Sequence, residues 1–312
     1  MHRSRLATVL GLSTALVVLS ATIAYGLVDL TPVVTGKGEQ YRAFANDDYL
    51  VYTQWSRASG NTAFAKPVGG SRSKINATGT GGVVGGFDPT TNKVLYQQYT
   101  RRRSALYFYD LDTDQRSQPA GVNSKRWEWG PLISSRFIVF GRDRVRRGKI
   151  YTSLVVHNRT TDATRVLGTW RWGPYAMFPG SAGETYVAYT LCKKTCFAKV
   201  YDWDTKSTVK IPTVNGKSQY APVVDEANGA VYFSRSANSG CGKHVDIWRR
   251  PFAINAAETA TRIIDIPRGI DTGWESSLTL NGTSGEMDLY IERYDCRKQT
   301  GDVYVGESVS GA

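Results

Sequence analysis

Short apolar runs punctuate this chain at a near-constant interval. Tyr49-Leu-Val-Tyr52, Lys93-Val-Leu-Tyr96, Phe137-Ile-Val-Phe140, Tyr186-Val-Ala-Tyr189, Ala230-Val-Tyr-Phe233 and Asp288-Leu-Tyr-Ile291 start 44, 44, 49, 44 and 58 residues apart. Each run is dense in β-branched and aromatic side chains, too short for a helix and preceded by turn residues, so each predicts a strand. The turns include Asn46-Asp47-Asp48, Asp88-Pro-Thr-Thr-Asn92, Ser181-Ala-Gly-Glu184 and Asp225-Glu-Ala-Asn-Gly229. Asp and Asn there hydrogen-bond their own backbone, and Gly supplies the dihedrals a tight reversal needs.

A second run follows each first one. Leu106-Tyr-Phe-Tyr-Asp-Leu-Asp-Thr113 matches Ala198-Lys-Val-Tyr-Asp-Trp-Asp-Thr205, and Ser153–Thr160 is a looser copy. Shorter runs come next, at 163–167, 207–211 and 261–265. A leading strand also recurs: Trp127-Glu-Trp-Gly-Pro131 aligns with Trp170-Arg-Trp-Gly-Pro174 and with Ser218-Gln-Tyr-Ala-Pro222. Each unit thus reads as four strands, here A to D, over about 45 residues, the period of a propeller blade. One such sheet cannot bury both faces alone, whereas a radial array can. The predicted fold is all-β: a six-bladed β-propeller of four-stranded antiparallel blades, with the domain over residues 31–308. The last unit ends at strand C, and Thr31-Pro-Val-Val-Thr35 would supply its missing strand, so the ring is closed by an N-terminal strand. Five or seven blades are the other counts this period allows.

The segment Gly86-Phe-Asp-Pro-Thr-Thr-Asn-Lys-Val-Leu-Tyr96, with the hairpin Tyr109-Asp-Leu-Asp-Thr113, resembles the repeat of TolB-type (WD40-like) six-bladed propellers. The resemblance spans nearly the whole chain after its first segment and is loose within each unit. It implies the architecture and a binding role in the bacterial envelope. It carries over no catalytic residue. No cofactor and no metal is expected.

The first segment is a targeting element. His2, Arg3 and Arg5 precede a stretch from Leu6 to Val28 without any charge. Two readings stand: a secretory signal peptide over 1–24, cleaved after Ala24 or Gly26, or an uncleaved membrane anchor to about residue 28. Either places the protein outside the cytoplasm, secreted or tethered. The cysteines agree, since an even number in an exported chain suggests disulfides. Cys192 and Cys196 flank a tight B–C hairpin and predict a local bridge. Cys241 and Cys296 fall in the B–C loops of successive units and predict a second bridge; cross-pairing on that same face is the alternative.

Charge changes the picture further. The chain carries +12, or +10 without Arg3 and Arg5. In a propeller the B–C and D–A loops share one face. Assigned there are Arg57, Arg101, Arg102, Arg103, Arg142, Arg144, Arg146, Arg147, Lys149, Lys193, Lys194, Lys243, Arg297 and Lys298, with Lys125, Arg126, Arg171, Lys217 and Arg268. The opposite face collects acids, among them Asp47, Asp88, Asp110, Asp112, Glu184, Asp202, Asp204, Asp225 and Glu226. Asp in hairpin turns is a local backbone device, which accounts for the acidic face. Arg has no such role in turns. The basic face therefore predicts an anionic partner: an envelope polymer bearing phosphate or uronate, a lipid headgroup, or an acidic protein. Nucleic acid is not expected outside the cell. Membrane contact is expected only through an uncleaved N-terminal segment, and the protein is expected to be a monomer.

Trp127, Trp129, Trp170, Trp172, Tyr220 and Trp274 are assigned to the start of strand A, near the central opening on the basic face. They form either a stacking platform for sugar rings or packing between blades. Glu128 and Arg171 fall at equivalent positions of adjacent units and would pair across blades. Glu128 and Glu275 lie three units apart and would face each other across the opening. Two carboxylates so placed are either solvated or the acid/base pair of a polysaccharide hydrolase or lyase. No Gly-x-Ser-x-Gly or His-Glu-x-x-His motif is present, and His157 reads as structural.

Overall fold

The computed structural model describes residues 27–213, 217–236, 245–251, 260–266, 270–272, 277–280 and 286–309. The targeting segment over 1–24, Cys241, Trp274 and Glu275 lie outside them. Among the described residues there is no α-helix, and the strands form consecutive antiparallel meanders.

β1 is Leu30–Val34, and the first meander is β2 (Glu39–Ala45), β3 (Tyr49–Ser56), β4 (Gly60–Pro67) and β5 (Ser73–Lys74). The second is β6 (Gly81–Phe87), β7 (Lys93–Tyr99), β8 (Ser104–Asp110) and β9 (Arg116–Ser117). The third is β10 (Trp127–Ile133), β11 (Phe137–Arg146), β12 (Lys149–Asn158) and β13 (Thr164–Arg171). The fourth is β14 (Ala176–Ala182), β15 (Tyr186–Cys192), β16 (Cys196–Asp202) and β17 (Thr208–Lys210). The fifth is β18 (Ser218–Asp225), β19 (Ala230–Ser236), β20 (Val245–Pro251) and β21 (Thr261–Ile264). Then come β22 (Ile270–Thr272), β23 (Ser277–Leu280), β24 (Met287–Asp295) and β25 (Thr300–Gly306).

Meanders two to five are separate four-stranded sheets, as a propeller requires. The first and last strands of the chain share one larger sheet. There β22 and β23 both pair with β24, β1 pairs antiparallel with β25 (Leu30 opposite Gly306), and Glu39 of β2 meets Gly301 of β25. The packing starts before β1. Val28 donates its N–H to the Ile263 carbonyl at 2.8 Å and packs with Leu30 on the cluster holding Ile263, Leu289 and Val309.

The core is a series of clusters between neighbouring sheets. Phe137, Val139 and Leu154 meet Met177, Val187 and Tyr189. Ala188 and Val200 meet Val231 and Phe233. Val51 and Ala63 meet Val84 and Tyr96. Tyr52 and Ala43 meet Tyr290, Val303 and Val305, which joins the end of the chain to its beginning. Strands such as β18 and β19, packed between neighbouring sheets, are buried at every position.

Each of the leading strands β2, β6, β10, β14 and β18 carries a register slip near its middle. The slipped residues are Arg42-Ala43, Gly85, Gly130-Pro131, Gly180 and Ala221-Pro222. Arg42, Gly130 and Ala221 have φ of 50°, 56° and 45°. A bulge of this kind bends the strand and raises its twist. It also lets backbones approach: a Cβ on Gly180 would stand 2.3 Å from the Pro222 carbonyl oxygen, and one on Gly85 2.7 Å from that of Pro131.

This pattern corrects one alignment made from sequence. Trp170 and Arg171 end the outermost strand β13, Trp172 lies in the following loop, and the leading strand begins only at Ala176. The structural counterparts of Gly130-Pro131 are Gly180 and Ala221-Pro222, not Gly173-Pro174.

Acids at the A–B and C–D loops tie one sheet to the next. Arg159, after β12, clasps Asp88, after β6, through Nη1–Oδ1 at 3.0 Å and Nη2–Oδ2 at 2.5 Å. Glu226 accepts the N–H groups of Thr185 (2.9 Å) and Tyr186 (2.8 Å). Glu184 accepts from Ser135, and Arg136 donates to Asp204 at 2.7 Å. Asp110 and Asp202 instead accept two N–H groups of their own turns, as turn chemistry predicts. Burial pushes the Asp88 carboxyl upward. Arg159 and Thr90 outweigh it and hold the group below the ordinary carboxylate value. A depressed folded pKa means stability that is full above about pH 4 and lost as pH falls through the folded value. Asp88→Asn should therefore cost about 2 kcal/mol at pH 7 and lose its disadvantage in acid. Urea unfolding at pH 7 and pH 3 checks this, and a deficit of equal size at both would contradict it.

Candidate functional site: the basic face

Among the described residues the β11–β12 hairpin has the longest strands on the B–C side. Its strands have ten residues each, against seven in β15 and β16. The three extra residues carry each strand about 10 Å further out. They are Arg144, Val145 and Arg146 on β11, paired with Tyr151, Ile150 and Lys149 on β12. Strand alternation puts Arg144 and Arg146 on one side of this ribbon and Val145 on the other.

Val145 is 74% exposed, and Ile150 opposite it is 43% exposed. Trp172 extends the same row: its N–H donates to the Ile150 carbonyl at 2.9 Å, and its side chain is 47% exposed. Its ring meets Phe178 edge-on at 6.4 Å. The row continues outward the apolar interface between the third and fourth sheets, in which Trp129, Trp170 and Leu191 are partly buried. The neighbouring β15–β16 hairpin is short and closed by the Cys192–Cys196 disulfide, so nothing from it covers the row.

The cations of this hairpin and of the adjacent β7–β8 loop are exposed. Arg144, Arg146, Arg147, Lys149 and Arg171 lie on or beside the hairpin, and Arg101, Arg102 and Arg103 form the β7–β8 loop. Among the described residues none of these has a carboxylate within ion-pair distance, although Arg144 stacks over Tyr151 at 5.8 Å. Lys193 lies over the Tyr175 ring at 5.7 Å. Asp143, an acid in this region, accepts from Trp129 Nε1 (3.0 Å) and Thr152 Oγ1 (2.6 Å). Trp55, not singled out from sequence, is exposed at the corresponding end of β3.

The tryptophans divide. Trp129 and Trp170 pack between sheets against Phe178 and Tyr189, at 6.5 and 6.2 Å. Each fits over a glycine: a Cβ on Gly141 or Gly168 would strike its ring. Trp127 is half-buried beside Tyr99. Trp172 is the exposed one among these four. Trp274 lies outside the described residues.

Glu128 is fully buried. Its Oε1 accepts from Arg142 Nε at 2.9 Å and from Ser124 Oγ at 2.5 Å, and Arg142 also donates to the Val122 carbonyl at 2.5 Å. The expected pairing of Glu128 with Arg171 is not made; Arg171 is exposed on the far edge of the same sheet. Arg142 takes its place because it sits directly opposite Glu128 on the adjacent strand, nearer than any residue of the next sheet. The carboxylate therefore presents no surface to a polymer. Glu275, its proposed counterpart, lies outside the described residues.

The Cys192–Cys196 bridge joins the last residue of β15 to the first of β16, with Cα atoms 3.9 Å apart. A bridge of this kind belongs to an oxidising compartment and points outside the cytoplasm. Cys296 is disulfide-bonded as well.

Two outcomes follow. Glu128→Gln leaves Arg142 without its anion, and should cost roughly 3 kcal/mol in urea unfolding; an unchanged midpoint would show that the pair is not structural. Peptide mapping of unreduced protein should yield one cross-linked peptide holding Cys192 and Cys196, and a second holding Cys241 and Cys296. A peptide joining Cys192 or Cys196 to either of the others would refute this pairing.

No protein-family model and no curated protein matches this sequence. Solved structures do. The putative TolB of Agrobacterium tumefaciens is similar at 12% identity and a TM-score of 0.56, over 83% of this chain and 91% of that one. TolB of Acinetobacter baumannii is similar at 11% identity and a TM-score of 0.53, over 83% of this chain; the match spans 63% of that protein's length. An oligogalacturonate lyase in complex with manganese is similar at 10% identity and a TM-score of 0.54, over 91% of this chain and 99% of that one. At such identities the likeness is one of fold, and this chain has a TolB-like β-propeller architecture.

Proposed function

We propose that this protein is a six-bladed propeller working outside the cytoplasm, secreted or tethered, which binds an anionic partner through its B–C/D–A face without catalysis. The six blades are the five meanders from β2 to β21 and the unit β22–β25, with β1 as the outer strand of the last blade and the closing element of the ring. The N-terminal segment serves export, as a cleaved signal or a retained anchor.

One observation carries the binding reading. Exposed cations without acid partners lie on one side of the long β11–β12 hairpin, and an exposed apolar row lies on its other side. Uncompensated charge raises the local concentration of an anionic partner and steers it. Val145, Ile150 and Trp172 add contact area that charge alone lacks. An envelope polymer bearing acid groups and an acidic protein both match this chemistry. Lipid of a membrane holding the N-terminus matches it less well. β1 begins opposite Gly306, at the end of β25 where the C–D loops lie, so the chain enters the fold on the acidic face. An anchored propeller would turn its basic face away from its own membrane.

The hydrolase or lyase reading has less support. The oligogalacturonate lyase shares only the fold, and Glu128 is enclosed in an ion pair.

Polygalacturonate and polyglutamate serve as probes for the two partner classes. Binding of at least one, followed by fluorescence anisotropy, should weaken about tenfold or more between 50 and 300 mM NaCl. Reversing Arg144, Arg146 and Arg147 to Glu should abolish it. Lys206→Glu, on the opposite face, should leave it unchanged. Equal affinity in the triple variant would reduce the basic face to a solubilising surface.

A further inference from the structure

A separate feature lies on the side wall, where the segment after β1 runs past the first meander. A groove of about 700 Å³ is lined by Val33–Lys37 and Gly70–Arg72, with Gln40, Tyr52, Gln54 and Lys66. Its size suits a ligand of one or two sugar units. Three cations from three different segments line it, Lys37, Lys66 and Arg72, and no Asp or Glu does.

Arg72 is exposed but held in place. Arg72 Nη1 donates to Tyr52 Oη at 3.0 Å and to Gln54 Oε1 at 2.6 Å. Its guanidinium also rests over the Phe64 ring, 4.5 Å from the centroid. These contacts fix the group and supply no negative charge. Nε and Nη2 are left for an acceptor, in the forked geometry that suits a carboxylate or phosphate. The loop bearing Lys37 is fixed too, because its carbonyl accepts from Gln40 Nε2 (3.2 Å) and Gln54 Nε2 (2.6 Å). The next residue, Gly38, has a φ of 95° and faces the Trp55 carbonyl so closely that a Cβ would stand 2.5 Å away. Gln40 itself is buried, and its Oε1 has no donor among the described residues. Bracing an arginine without giving it an acid costs conformational freedom, and a bound anion would recover that cost.

We propose that this groove binds a small polyhydroxylated anion, a sugar acid or a polyol phosphate. Arg72 holds the acid group with Lys37 and Lys66 beside it, and the exposed part of the Gln54 amide takes a hydroxyl. The site is distinct from the β11–β12 hairpin and does not depend on the reading of that face. A ligand there touches both the segment leaving β1 and the first meander, so it favours the closed ring.

Isothermal titration of the full chain with glucuronate and with glycerol 3-phosphate, against uncharged glucose, tests this. One of the two anions should bind and glucose should not, and which anion binds identifies the acid group. Arg72→Gln should weaken binding about tenfold or more, and Lys66→Gln by a smaller factor. The melting temperature should rise with ligand in the wild type and not in Arg72→Gln. Reversal of Arg144, Arg146 and Arg147 should leave this binding intact. Should Arg72→Gln fail to fold, Lys66→Gln carries the test alone. Absence of binding by both anions at millimolar concentration, or undiminished binding in the variants, would overturn the proposal.

Discussion

The structure depends on how closely its leading strands approach a common axis. Backbone must pass backbone there, and side chains have little room. Gly180 and Gly85 face the carbonyls of Pro222 and Pro131 at distances no Cβ could share. The recurring bulge is the local answer. It breaks the pairing of each strand at mid-length and leaves a backbone carbonyl there outside the ladder. One of those carbonyls is used: Arg42, from β2, reaches two sheets onward and donates to Pro131 O on β10 at 2.5 Å. Arg42 is buried, so this level of the axis is occupied by protein.

The two rims divide their charge by role. On the acidic rim, carboxylates accept from the backbone of their own turns or from the next sheet, as Asp110, Glu226 and Asp88 do. Such groups are committed to structure; removing one strands a donor. On the basic rim the arginines of the β7–β8 and β11–β12 loops have no such commitments. Asp143, lying among them, is held by Trp129 and Thr152. Charge that the fold does not need is charge available to a partner.

Much of this was legible in the sequence, and the misses have physical causes. Strand alternation and turn chemistry are local, so the meanders and the hairpin turns could be read along the chain. The Trp-x-Trp-Gly-Pro strings misled because resemblance between strings says nothing about which edge of a sheet they occupy. Trp127–Pro131 is a leading strand, whereas Trp170–Pro174 is the end of an outer strand and a loop. The true repeat is a small residue at the bulge, a signal too short to stand out. Glu128 was misplaced for a related reason: its partner, Arg142, lies across one strand pair, a relation set by register and not by repeat equivalence. The side-wall groove was invisible because Lys37, Lys66 and Arg72 belong to no motif and converge only after folding.

That groove and the pairing of the first strand with the last share one element. β1 must pair with β25, more than 260 residues away along the chain, so its docking carries a closure entropy that the hairpins within each meander do not. Its hydrogen bonding is modest: Pro32 has no N–H to donate, and the register slips between Pro32 and Val34. Apolar contact does the remaining work, with Val34 packed against Tyr52, Val303 and Val305. The residues immediately after β1 then form the groove wall, fixed by Gln40 and Gln54. The segment from Val33 to Lys37 thus links the groove wall to the pairing of the first strand with the last.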